Sequence, residues 1–204
     1  MHDLKTFAIK SMLGQPCYWM EKSSEAYIND AQALKALKRK EASGLRALLS
    51  KYESPLIGYL TSITSDHALA EDLTQETFLK LIKRPPFKLA NGSIKPWLFQ
   101  VGRNLAIDQL RHRQRIELRD TLPEKNDLPH NTTHEILDPS DTQMLLQSLP
   151  EDMRQIVALR IYGDFTFKEI SKQLKIPLGT VLWKMSKAVD QMRNTLEAEN
   201  HENA

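Results

Sequence analysis

Between Ile116 and Gln143 the sequence holds seven acidic residues against two basic ones, with Pro123, Pro129 and Pro139 and the polar run Asn131-Thr132-Thr133. No apolar period survives there, and prolines so spaced stop any helix that enters. Such a stretch reads as a flexible acidic linker. It divides the chain into two helical blocks. The expected organisation is an N-terminal extension at 1–30, a helical domain at 31–115, the linker at 116–140, a second helical domain at 141–197 and a polar tail at 198–204. Neither block shows strand-like alternation of useful length or an internal repeat. The expected fold class is therefore all-α: two small helical domains on a flexible acidic linker, the second a helix-turn-helix.

Hydrophobic content of 41% and charged content of 26% match an ordinary soluble globular chain. No apolar run approaches the roughly 20 residues that span a bilayer. The opening "MHDLKTFAIKSMLGQPCYWMEK" lacks the apolar segment and small-residue cleavage site of a secretory signal. Cys17 is the only cysteine, which excludes an internal disulfide or a cysteine-rich zinc site and suits a reducing cytoplasm. Met20 stands out as an alternative translation start, an expectation that the intact mass of the native protein checks. There is no glycine-rich phosphate loop, metal-ligand spacing or nucleophile–base pair, and the six histidines are scattered. No catalytic centre, cofactor, metal or small-molecule substrate is expected.

Net charge is only +2, so the distribution of charge carries more information than its total. "RNLAIDQLRHRQR", 103–115, gathers four arginines and a histidine against one acid. The helix leading into it has Trp97, Leu98, Val101, Leu105 and Leu110 as its apolar set. Upstream, in "SDHALAEDLTQETFLKLIKRPPF", Leu69, Leu73, Phe78, Leu81 and Ile82 line one helical face, beside an acidic, amide-bearing patch of Glu71, Asp72, Gln75 and Glu76.

The C-terminal block parses into three helices. The first spans about Pro150 to Tyr162 and stops at Gly163. "TFKE", 166–169, is a capping box that starts the second, which turns Ile170 and Leu174 inward. The third begins near Leu178, where Val181, Met185, Ala188, Met192 and Leu196 form an apolar stripe. Two short helices joined by a tight turn make a helix-turn-helix, whose second helix enters the DNA major groove. Thr180, Lys184, Ser186, Lys187 and Arg193 face outward and suit phosphates or base edges. Trp183 projects almost opposite the apolar stripe; it and Leu182 contact either DNA or a protein partner.

"AEDLTQETF", "WLFQVGRNLAIDQLRHRQR" and "LPEDMRQIVALRIYGDFTFKEISKQLKIPLGTV", in that order, resemble a bacterial RNA polymerase sigma factor of the extracytoplasmic-function (ECF) type in the sigma-70 family. The resemblance covers residues 31–115 and 140–197 and implies a transcription initiation subunit. It implies docking of the first domain on the β′ coiled coil of core RNA polymerase through Glu71, Asp72, Gln75 and Glu76, with Phe78 beneath, and of the second on the β flap. It further implies that the first domain reads and melts the −10 element with Lys88, Asn91, Arg103, Asn104, Arg111 and Arg113. The "FKLANGS" loop, 87–93, sits where the family captures a flipped base, and Trp97 packs in the core. Asp108 orients Arg111 or Arg103.

The second domain would read the −35 element with Arg154, Lys168, Thr180, Leu182, Trp183, Lys184, Ser186 and Lys187. Here the chain departs from the family: after Gly179-Thr180-Val181 a basic residue and a serine are usual, where Leu182 and Trp183 stand. A membrane-bound anti-sigma factor and promoter DNA complete the implied partners. The other reading is an autonomous helix-turn-helix regulator, which needs neither the acidic patch nor the arginine helix.

Overall fold

The computed structural model describes residues 29–89, 92–120 and 141–202. Among these every regular element is a helix: α1 (Asp30–Lys38), α2 (Ala42–Thr64), α3 (His67–Lys83), α4 (Lys95–Asp120), α5 (Asp141–Gln147), α6 (Glu151–Ile161), α7 (Phe167–Leu174) and α8 (Leu178–Glu202). Three starts are capped by side chains. Asn29 accepts from the amide of Ala31 at 3.1 Å, and Asp66 caps α3 by accepting from the amide of Leu69 at 3.0 Å. Thr166 and Glu169 form the reciprocal capping box that the sequence announces. Ser65 and Lys175 end α2 and α7 in the left-handed conformation, at φ 56° and 57°.

Helices α1–α4 form the N-terminal module, with Leu48, Leu56, Tyr59, Leu60, Leu81, Leu98 and Phe99 at its centre. In the C-terminal module, α5–α8, all five residues of the predicted stripe on α8 are buried: Val181, Met185, Ala188, Met192 and Leu196. Trp97 is half-buried against the core, as the apolar spacing predicts. Ile82 departs from the expected inward face: it is 45% exposed, and Leu79 is 51% exposed. In a 17-residue helix the inward arc is already filled by Ala70, Leu73, Thr74, Thr77, Phe78 and Leu81, which leaves Ile82 on the far side. Helix α4 also runs through residues 116–120, into the stretch read as linker. Those positions precede Pro123 and hold good helix formers; residues 121–140 of the expected linker lie outside the described residues.

The two modules pack against each other. Phe165, in the turn between α6 and α7, is fully buried with its ring 5.2 Å from that of Phe99 on α4, edge to face. Phe99 in turn stacks tilted on Tyr59 of α2 at 5.1 Å. Lys95 at the start of α4 lies over the Phe165 ring at 4.5 Å and donates to the carbonyl of Asp164 at 3.0 Å. Gln173 of α7 donates to the carbonyl of Pro96 at 3.0 Å. On α2, Gly58 faces Tyr162 so closely that a Cβ there would lie 2.5 Å from the ring.

Candidate promoter and polymerase interface

Helix α3 presents Glu71, Asp72, Gln75 and Glu76 to solvent, while Phe78 is 4% exposed beneath them. Glu71 lies 3.4 Å from His67 and Glu76 lies 3.3 Å from Lys80, both pairs one turn apart and solvent-exposed. Exposed pairs of this kind contribute little to stability, so the acids remain available to a partner. Leu79 and Ile82 lie on the same face and turn an acidic patch into a mixed acidic and apolar one. Sequence reasoning missed this pair because helical spacing alone did not separate Ile82 from the core set. At the end of the helix Phe87 is 90% exposed.

Helix α4 carries the arginines. Arg111 and Arg113 are exposed, and Arg113 lies 3.6 Å from Asp66, the residue that caps α3. Arg115 donates back to the carbonyl of Arg111 at 3.2 Å. Asn104 is exposed and accepts from Gln100 at 2.9 Å. Arg103 behaves differently: half-buried, it donates from Nε to the Oε1 of Gln155 at 3.1 Å. Gln155 is held from behind, donating to Glu151 at 2.9 Å. The described side-chain contact of Arg103 thus runs to Gln155, not to Asp108, which is exposed. Lys88 is exposed between α3 and α4; Asn91 lies outside the described residues.

In the C-terminal module Trp183 is 57% and Leu182 46% exposed, on the side of α8 away from its buried stripe. Ser186, Lys187 and Arg193 are exposed, as is Lys168 on α7, and Thr180 is half-buried. Lys184 folds back onto Asp152 in the first turn of α6, and that lysine holds the Asp152 carboxyl below the usual aspartate range. Arg154 points inward. It donates to the carbonyl of Leu149 at 3.1 Å, also bonds Gln147, and reaches within 3.5 Å of the carbonyl of Ser62 on α2. Burial pulls its guanidinium below the ordinary arginine value, though it stays charged. Arg103, Glu151, Asp152 and Lys184 together line one open groove of about 420 Å³ where the modules meet. Arg103 and Arg154, one arginine from each element's assigned readers, thus each make a contact across the junction of the modules, to Gln155 and to the carbonyl of Ser62.

Solvent-facing surfaces of two kinds thus sit on one chain: an acidic and apolar face on α3, and polar, cationic faces on α4 and α8. Residues 48–116 match the family model of sigma-70 region 2, and residues 145–194 match that of sigma-70 region 4. The ECF RNA polymerase sigma factor SigM of Bacillus subtilis is 30% identical over 61% of this chain and 78% of its own. The chain belongs to the ECF sigma factors of the sigma-70 family.

SigL of Mycobacterium tuberculosis, another ECF sigma factor, is 28% identical over 77% of this chain and 91% of its own length. SigE of Mycolicibacterium smegmatis is 32% identical over 66% of this chain, which spans about half (54%) of that relative. Among solved structures, the sigma factor RpoE in complex with the anti-sigma factor NepR from Bartonella quintana superposes with a TM-score of 0.60 at 25% identity, covering 74% of this chain and 96% of that one. CnrH, solved with the cytosolic domain of CnrY, gives the same TM-score at 16% identity over 83% of this chain and 98% of its own, a likeness of fold. As an alternative sigma factor, this protein directs promoter-specific transcription initiation. No helix among the described residues is long and apolar enough to cross a membrane.

Proposed function

We infer that α3 docks on the β′ coiled coil of core RNA polymerase, that α4 with the loop before it reads and melts the −10 element, and that α7–α8 read the −35 element as duplex. The observation that carries this reading is the α3 face. Glu71, Asp72, Gln75 and Glu76 surround exposed Leu79 and Ile82, a pattern that a free-standing DNA-binding regulator has no use for. Acids and an amide orient a basic partner helix, while the two apolar side chains supply area to remove from water.

Melting DNA requires stabilising bases taken out of the stack, which a basic groove with amide or aromatic groups provides. The arginine-rich end of α4 supplies the cations, and Asn104 an amide. On α8, Trp183 and Leu182 suit thymine methyls or the edge of the backbone, and Lys187 and Ser186 suit phosphates. The protein has no catalytic centre of its own and works in the cytoplasm, with phosphodiester chemistry left to polymerase. Its regulator is an anti-sigma factor held at the membrane; the complex of the similar sigma factor RpoE with the anti-sigma factor NepR supports the anti-sigma partner alone.

The packing of the modules bears on when this happens. Arg103 and Arg154 are engaged across the junction, so polymerase docking competes with that packing. It then fixes the two readers at a set separation and raises the effective concentration of one once the other has bound. Gel filtration with core polymerase tests the reading. Co-elution is expected, and a chain that elutes alone while still shifting duplex DNA supports a free regulator instead.

A further inference from the structure

Asp30 opens α1, where an acid ordinarily sits at the surface and complements the helix dipole. Here it is 4% exposed. Its Oδ1 accepts from Lys51 at 2.7 Å, and its Oδ2 accepts from the Tyr52 hydroxyl at 2.6 Å, the Ser93 hydroxyl at 2.8 Å and the amide of Ile94 at 2.9 Å. Burying a carboxylate is costly unless such donors surround it, and helix initiation does not require it, because Asn29 already caps α1.

The donors show what the burial achieves. Lys51 and Tyr52 are neighbours on α2 and both bond the carboxylate. Ser93 and Ile94 are the last residues of the connection that carries Lys88 from α3 to α4. Ile94 is fully buried, and its carbonyl accepts from the amides of Trp97 and Leu98, so it begins α4. Ser93 accepts from the amide of Lys95 at 3.2 Å while donating to Asp30. Gly92, immediately before, takes φ +74°, a left-handed turn that glycine adopts without strain. The connection thus rejoins the fold through two bonds to Asp30, from the Ser93 hydroxyl and the Ile94 amide, while Lys51 and Tyr52 hold that carboxylate from the other side.

We propose that Asp30, backed by Lys51 and Tyr52, is a positioning residue for promoter recognition: it pins the Ser93–Ile94 end of the α3–α4 connection and so sets where that connection presents Lys88 to single-stranded DNA. The proposal rests on the reading of this connection as the −10 loop. Its physical basis is entropic. A connection fixed at one end has fewer residues to order when DNA binds, and each residue so spared is worth roughly a five- to thirty-fold difference in affinity.

The test uses holoenzyme and a pool of single-stranded DNA oligonucleotides randomised over ten positions, with sequence preference and affinity read after selection. Ser93→Ala removes the hydroxyl from the loop end and leaves Asp30 with three donors; Ser93→Thr restores it; Asp30→Asn removes the charge; Lys88→Ala is the control. Expected are an affinity about ten-fold lower and a flattened base preference for Ser93→Ala, recovery in Ser93→Thr, and core-polymerase affinity unchanged in both. A merely structural role would lower polymerase binding and DNA binding together. If Lys88→Ala alters the selected sequences and Ser93→Ala and Asp30→Asn do not, the positioning role is overturned while the loop reading stands. If Lys88→Ala changes nothing, the loop reading falls and the proposal with it.

Discussion

Gly58→Ala separates the stability of the N-terminal module from the packing of the two modules. Within α2 alone, alanine is favoured over glycine by about 0.8–1.0 kcal/mol, and that gain applies whether the modules are together or apart. The packed arrangement alone suffers the new methyl, which would lie 2.5 Å from Cε1 and 2.6 Å from Cδ1 of Tyr162. Overfilling a well-packed site costs about 1–3 kcal/mol. At about 1.4 kcal/mol per decade, the ratio of separated to packed molecules rises roughly five- to 150-fold. The assay is energy transfer between dyes on cysteines replacing the exposed residues Glu53 and Arg193, in a chain with Cys17→Ser. Transfer is expected to fall while the far-ultraviolet circular dichroism and the melting temperature of the N-terminal module hold or rise. Unchanged transfer would refute the packing argument. So would loss of helix in parallel with loss of transfer, since the clash would then be absorbed inside the N-terminal module.

Three further outcomes are expected. Arg111→Ala combined with Arg113→Ala impairs initiation from duplex promoters more than polymerase binding and lowers the salt dependence of DNA binding by about one unit of slope per lost contact; equal transcription by the mutant from duplex and pre-melted templates counts against a melting role. Trp183→Ala leaves the melting temperature nearly unchanged, because the side chain is 57% exposed, but weakens −35-dependent transcription by the equivalent of about 1–3 kcal/mol; an unaltered promoter preference assigns Trp183 to a protein contact. Acid stability should report on Asp30. Burial pushes its carboxyl up, but the donors Lys51, Tyr52, Ile94 and Ser93 outweigh that and hold it below the ordinary value. An unfolded aspartate titrates near 3.9, so the stabilisation is full above about that pH and is lost as pH falls through the lower folded value. In Asp30→Asn the acid-unfolding curve should be shallower below about pH 4, and parallel curves would contradict the assignment.

Local structure was legible in the sequence wherever one short signal decides it. Thr166 and Glu169 cap a helix by themselves, and the stripe from Val181 to Leu196 determines both what α8 buries and that Trp183 faces away. The Glu71–Glu76 patch was legible for the same reason. Contacts between the modules were not. Phe165 reads as an ordinary apolar residue in a turn, and nothing in its neighbourhood says that its ring meets Phe99, more than sixty residues earlier. Gly58 looks like a weak point in a helix until Tyr162 is seen against it. Arg103 and Arg154 read as DNA-facing cations because helical spacing gives a direction but not the element that arrives there. Asp30 looks like a first-turn acid, and its role rests on donors from two distant segments that no local pattern connects.

Reconstituted transcription tests the central claim most directly. Purified chain and core RNA polymerase are incubated with fragmented genomic DNA from the source organism, and the 5′ ends of the transcripts are sequenced. The account predicts start sites that appear only when the chain is added and that share two upstream sequence elements at constant spacing. A start-site pattern identical to that of core polymerase alone, from a preparation whose helix content matches the fold, would contradict it.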